Sequence, residues 1–191
     1  MPIVPDTKDW TWVLERACAD CGFDPEATTY EAVPGLVRDS AVRFAEVLRR
    51  AGVEDRPDES TWSPVEYAAH VRDVCLIMTH RLDIALSAAE VPGPAIGGYD
   101  TAVTVDDGIP MFANWDQDVT ASLENYAAQP SADVAAQLTT AAETAARAFE
   151  SVPLADRARV ARRSNGSQFT VDTLARYFAH DLVHHVHDVR G

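Results

Sequence analysis

All six histidines of this 191-residue chain fall in two short runs. His70 and His80 share one run, and His180, His184, His185 and His187 crowd the other, residues 177–188, which reads YFAHDLVHHVHD. Imidazole nitrogens beside carboxylates are common donors to Zn²⁺ and neighbouring divalent ions. On a helix, residues four apart stand on one face about a turn from each other. The final run holds two such pairs, Asp181 with His185 and His180 with His184. Either offers two donors from one helix, and His70 could supply a third from another.

Helical phase ranks the two pairs. At about 100° per residue, Val171, Leu174, Phe178, Leu182 and Val189 fall within a narrow arc, the expected buried stripe. Asp181, His185 and Asp188 run along one edge of it, His184 and Tyr177 lie further round, and His180 points nearly opposite. His70 shares a face with Tyr67, Val74 and Ile77 and is expected to look inward. Asp181 and His185 therefore border the core and can reach His70. The pair His180 and His184 stays open as the alternative, at the cost of a twisted or kinked helix end. His80 and His187 are read as hydrogen-bonded or solvated side chains, His187 near a helix C-terminus where the dipole favours a cation.

Three N/O ligands with an open fourth position suit Zn²⁺, or Ni²⁺ or Fe²⁺. The open position could hold a thiolate or a water, since a metal lowers the pKa of either. Asp188 could orient a ligand imidazole, and Tyr177 could face the pocket or pack in the core. Arg72 and Arg81, on the His70 helix, could meet a substrate carboxylate or lie on a solvated face.

Helices must position these groups. Helical spacing predicts segments at 7–19, capped by Asp6 or Thr7, at 35–51, ended by Gly52, and at 111–129 and 132–151. The best-marked helix opens at Ser63-Pro64-Val65-Glu66, a capping box with proline at the first helical position, and runs to about residue 89. The last begins near Thr170 and runs to the chain end. Residues 91–110, with four glycines and three prolines but no helical period, read as a long loop, a kind of segment that is often functional. Residues 159–163 and 168–171 could pair as a small hairpin. The expected class is all-α, a helical bundle. Cys18-x-x-Cys21 followed by Gly22 has the form of half a zinc knuckle, but the other half, a second C-x-x-C or C-x-x-H, is missing; two thiols at a helix end is the plainer reading. Cys75 lies in an apolar run and reads as a core residue.

Size and charge exclude several functions. A chain of 191 residues suits one domain. No run approaches the ~18 apolar residues that a membrane span needs. The N-terminus lacks a basic stretch followed by an apolar core, so no secretion signal is expected and a cytoplasmic protein is. A net charge of −14 repels phosphate backbones and argues against nucleic-acid binding. Three cysteines, an odd number, argue against a disulfide scaffold. Lys8 is the only lysine among the basic residues, and alanine is abundant, which suits a GC-rich genome.

Two motifs carry a family resemblance: Trp62-Ser63-x-x-Glu66-x-x-x-His70, and Asp181-x-x-x-His185-x-x-Asp188 preceded by Phe169-Thr170-Val171 and Tyr177. With them the chain resembles the DinB/YfiT-like superfamily, which includes the mycothiol-dependent maleylpyruvate isomerases and mycothiol transferases of actinobacteria. The resemblance implies one DinB-like domain over the whole chain, with residues 1–32 as an N-terminal extension. Its core would be an up-down-down-up four-helix bundle with extra short helices, residues 111–129 being an added segment. It implies His70, Asp181 and His185 as the metal ligands. Asp181 stands where the family usually has histidine or glutamate; being shorter, it requires its helix to sit closer. The chain stops just past the last helix, without the second domain of the isomerases, which counts against isomerase activity. The implied function is S-transfer, in which a low-molecular-weight thiol such as mycothiol, held as thiolate, attacks a small electrophile. A metal-dependent hydrolase and a non-catalytic binding module are the alternatives. Such bundles often pair as homodimers. Specificity is expected in residues 91–110 and 157–167.

Overall fold

Ser63, Pro64 and Glu66 start a helix for separate reasons, and each is visible in the computed structural model, which describes residues 9–87 and 91–191. The Ser63 hydroxyl accepts the Glu66 N–H at 3.3 Å, and the Glu66 carboxylate accepts the Ser63 N–H at 2.8 Å. This reciprocal pair satisfies two N–H groups that a helix start leaves without partners. Helix α2 (Pro64–Ser87) follows. Arg56 closes over the box, donating from Nε to Glu66 at 2.8 Å and pairing a second N–H with the other carboxylate oxygen. Helix α5 (Val171–Asp188) opens the same way: the Thr170 hydroxyl accepts from the Thr173 N–H, and the Thr173 hydroxyl accepts from the Thr170 N–H.

Four long helices form a bundle: α1 (Val33–Val47), α2, α4 (Ser131–Glu150) and α5. Helices α4 and α5 each pack against both α1 and α2, so α1 and α2 face each other across a diagonal. Phe44, Leu82, Leu138, Phe149, Phe178 and Leu182 are fully buried between them, each worth about 1.5–3 kcal/mol on removal from water. The α4 face toward its neighbours is mostly Ala141, Ala142, Ala145 and Ala146, all buried. Their short side chains let the helices approach closely.

The all-α expectation is overturned by a four-stranded mixed sheet in the order β1 (Thr104–Asp106), β2 (Ile109–Phe112), β3 (Val160–Arg163) and β4 (Gln168–Thr170). The hairpin of β3 and β4 was anticipated. That of β1 and β2 was not, although its turn, Asp107-Gly108, has positive φ at both residues (49° and 77°), the conformation in which Asp-Gly joins two antiparallel strands. The two hairpins meet through a parallel pairing of β2 with β3, Met111 opposite Arg162 and Phe112 opposite Arg163.

Residues 111–129 are accordingly not one helix. Strand β2 takes Phe112, Asp116 then caps a short α3 (Gln117–Leu123), and Asn125 (φ 49°) ends it before a single 3-10 turn, Tyr126–Ala128. The helical phase of Trp115, Val119, Leu123 and Tyr126 was misleading because Val119 and Leu123 are 46% and 64% exposed. At the N-terminus a 3-10 turn, Trp10–Leu14, capped by Asp9, replaces the expected helix over 7–19; Asp6 and Thr7 lie outside the described residues, as do residues 88 and 89 at the expected end of α2. Helix α1 ends at Val47, ahead of the turn that holds Gly52 (φ 74°). Among the described residues no helix is long and apolar enough to cross a membrane.

Neither Arg72 nor Arg81 lies on a solvated face. Arg72 forks onto Asp73 and donates to Gln129 and Gln137, while the Tyr126 hydroxyl donates to Asp73 at 2.5 Å. This network pins the 3-10 turn to α2. Arg81 is 4% exposed, lies 4.8 Å over the Phe112 ring and donates to the Ala113 carbonyl.

The Arg56–Glu66 pair makes the start of α2 sensitive to acid. Burial pushes the Glu66 carboxyl up, but Arg56 and the Ser63 N–H outweigh it and hold the group below its ordinary value. A carboxylate depressed in this way contributes stability above its unfolded pKa and loses it as pH falls through the folded one. Arg56→Ala should therefore let Glu66 protonate at higher pH. Acid unfolding, followed by circular dichroism, should move to higher pH, and neutral-pH stability should fall by about 1.5–3 kcal/mol.

Candidate metal centre

Helix α2 turns His70 fully inward, and α5 packs beside it. Asp181 Oδ1 lies 3.7 Å from His70 Nε2 and 3.6 Å from His185 Nε2. One donor atom from each of the three falls within 4.8 Å of the others. Hydrogen bonds do not span such distances. Two donors about 2.0–2.1 Å from a tetrahedral Zn²⁺ stand about 3.4 Å apart, close to the spacing seen. Both nitrogens of His70 and Asp181 Oδ1 are buried and have no hydrogen-bond partner among the described residues. Unpaired buried polar atoms are costly and rare, and here two of them, His70 Nε2 and Asp181 Oδ1, stand 3.7 Å apart.

Aromatic rings hold the geometry. His70 is stacked on Trp115, with ring centres 5.2 Å apart and planes within 5°, and Trp62 lies 5.3 Å away. The rings of His70 and His185 meet edge to face at 4.8 Å, and Tyr67 packs 5.2 Å from His185. Asp188 Oδ2 lies 2.9 Å from His185 Nδ1. A proton on Nδ1 makes that a hydrogen bond and leaves the Nε2 lone pair aimed at Asp181 and His70.

The charge states suit a cation. Burial alone would raise the Asp181 carboxyl, but His70, His185 and His180 around it hold it down at about 2. Burial pushes the His70 imidazole down, toward its neutral form. An ionised carboxylate and a neutral imidazole are the forms that ligate metal. Burial likewise opposes ionisation of Asp188, yet its contact with His185 keeps it below the ordinary carboxylate range. A cavity of about 350 Å³ opens onto Asp181, His185 and Asp188 between Trp10, Tyr67 and Tyr177, with Asp20, Ser60, Gln117 and Asp118 also lining it.

The family model described as the DinB superfamily matches residues 36–189. The chain belongs to the DinB superfamily. Comparison with curated proteins and with solved structures returned no match. The DinB superfamily is a metal-binding one, and His70, Asp181 and His185, gathered at the α2–α5 contact, fit a divalent ion.

The structure thus brings His70, Asp181 and His185 together, as phase and motif had indicated, and α5 sits close enough for the short Asp181 side chain to reach both histidines. The alternative pair is not gathered with His70. His180 and His184 line the same cavity but pack against the N-terminal segment, and His180, expected to point away from the core, is 4% exposed because Trp10, Trp12 and Phe23 pack over it. His80 is hydrogen-bonded to the Tyr99 hydroxyl and the Val91 carbonyl, and the His187 side chain is 55% exposed. Tyr177 lines the cavity, with its hydroxyl 3.4 Å from an Arg163 nitrogen. Trp115 and Trp10 were missed as parts of this region, and no local pattern marks them. The cavity draws on Ser60, Gln117 and Asp118 rather than on residues 91–110, where specificity was expected.

The hydrogen bond from His185 predicts that Asp188→Asn weakens metal affinity at this centre by about 10–100-fold. His187→Ala should leave it unchanged. Competition against a chromogenic chelator measures both.

Proposed function

We propose that this DinB-superfamily chain is a metal-dependent S-transferase, which joins a low-molecular-weight thiol to a small electrophile in the cavity beside His70, Asp181 and His185. The observation that carries the reading is the gathering of one donor atom each from His70, Asp181 and His185 within 4.8 Å at the α2–α5 contact, with the His70 nitrogens and Asp181 Oδ1 buried and without hydrogen bonds among the described residues. A divalent ion there, Zn²⁺ foremost and Ni²⁺ or Fe²⁺ as alternatives, supplies Lewis acidity that makes a thiol or water nucleophilic near neutral pH. The protein's own contribution is orientation. Asp188 fixes the His185 ring, Trp115 and Trp62 hold the His70 ring, and the wall of Trp10, Tyr67 and Tyr177 limits the water around the reacting atoms.

The lining supports a hydroxyl-rich thiol of the mycothiol kind. Asp20, Ser60, Gln117 and Asp118 offer acceptors to hydroxyl groups. The same carboxylates, with Asp188 beneath them, repel a thiol that carries several carboxylates of its own.

Elemental analysis and a turnover assay test the reading. The purified protein is offered a chromogenic electrophile with and without a sugar-bearing thiol. Thiol-dependent turnover is expected, together with loss of one metal equivalent and at least about 100-fold of the rate in His70→Ala and in His185→Ala. Turnover that ignores the thiol would favour hydrolysis. Metal-free protein that gains no thermal stability from Zn²⁺ or Ni²⁺ would favour a binding module without catalysis.

A further inference from the structure

Cys18 and Cys21 lie before the stretch that the family model matches, residues 36–189, and take no part in the centre above. No second C-x-x-C or C-x-x-H follows them in the sequence, but two histidines of α5 stand beside them. One donor atom from each of Cys18, Cys21, His180 and His184 falls within 4.8 Å of the others. We propose that these four residues form a second, closed tetrahedral site for a divalent ion of the Zn²⁺ type.

Distance supports it first. Cys18 Sγ and His184 Nδ1 are 3.6 Å apart. With Zn–S about 2.3 Å and Zn–N about 2.05 Å, a tetrahedral angle separates sulfur and nitrogen by about 3.6 Å. The backbone supports it second. The Cys18 N–H donates to the Phe23 carbonyl at 2.8 Å, and the Gly22 N–H donates to the Cys18 carbonyl at 2.9 Å. Gly22 has φ +75°, a conformation side chains resist, and it turns the chain back so that both thiols face α5.

Burial is the third support. Cys18 and His180 are 1% and 4% exposed, and His180 Nε2 has no hydrogen-bond partner among the described residues. The Trp10 ring covers both imidazoles, at 5.6 Å from His180 and 5.1 Å from His184, and Phe23 lies 5.6 Å from His180. A buried imidazole that keeps an unpartnered nitrogen and offers a donor within 4.8 Å of two thiols and a second imidazole suits a soft cation. Two sulfurs and two nitrogens select Zn²⁺ over Mg²⁺ or Ca²⁺. As each sulfur–metal bond forms, the thiol proton passes to solvent, and two thiolates balance the charge of the ion.

Four protein ligands leave no open position, so this site is structural, whereas the neighbouring three-ligand centre is open. It staples the N-terminal segment to the outer face of α5. That segment supplies Trp10 and Asp20 to the cavity wall. His184 Nε2 also stands 3.9 Å from Asp188, the residue that orients His185.

The full-length protein, kept reduced and loaded with Co²⁺, tests the proposal by elemental content and absorption. The wild type should bind two equivalents and show a thiolate-to-cobalt charge-transfer band in the near ultraviolet. The double variant Cys18→Ser/Cys21→Ser should lose the band and one equivalent, and Cys21→Ala alone should weaken the band should the double variant fold poorly. His70→Ala/His185→Ala should lose the other equivalent and keep the band. Wild-type protein with no thiolate band, or a cysteine double variant that keeps both equivalents, would overturn the second site. Loss of metal in the cysteine variant alone, with His70→Ala/His185→Ala unaffected, would instead overturn the first centre while supporting this one.

Discussion

The contact between α2 and α5 is the constraint from which the rest follows. Each helix must bury an apolar stripe, and each carries polar donors at or beside that stripe. Closing the bundle therefore forces His70 of α2 against Asp181 and His185 of α5. Removing the His70 nitrogens and Asp181 Oδ1 from water without hydrogen bonds opposes folding. The burial of Val74, Leu174, Phe178 and Leu182 in the bundle core must outweigh that penalty. A bundle with apolar residues at these three places would pack more easily; this one keeps a small polar region where the core meets the cavity.

The sheet, peripheral to the bundle, mounts the site. Strand β4 runs directly into α5, and the Val171 N–H donates to the Arg159 carbonyl, so the pairing of β3 with β4 sets where α5 begins along its axis. The parallel pairing of β2 with β3 then ties the preceding segment to the same frame. The Ser164 N–H donates to the Phe112 carbonyl, and the Asn114 N–H to the Ser164 hydroxyl. Trp115 follows at once, and this placement lays its ring on His70. The strands that overturn the all-α expectation thus control the orientation of a candidate ligand.

Charge acts at two scales. The net charge of −14 favours the approach of divalent cations over that of polyanions. At the centre the same preference is local: Asp181 and Asp188 are held ionised, and His70 is held toward neutrality by burial. Successive residues of α5 point about 100° apart, so His180 and His184 belong to one face and Asp181 and His185 to the next. One helix can therefore present a carboxylate-and-imidazole set to the bundle and an all-imidazole set to the N-terminal segment.

Local pattern alone determined a good deal. The capping box at Ser63, the start of the last helix near Thr170, the buried stripe of α5 and the inward face of His70 were all legible, because each depends on residues within a few turns of one another. The choice of Asp181 with His185 followed from that stripe. Tertiary structure decided what depends on distant pairings. The register of β2 against β3 joins segments some fifty residues apart, and no local period announces it. The exposure of Val119 and Leu123 shows that a helical phase is only an offer of burial, which a partner surface must accept. His180 faces outward by phase alone and is buried only because residues at the other end of the chain fold over it. Those same residues bring Cys18 and Cys21 to it. Periodicity reports which way a side chain points on its own helix, and only packing decides what stands opposite.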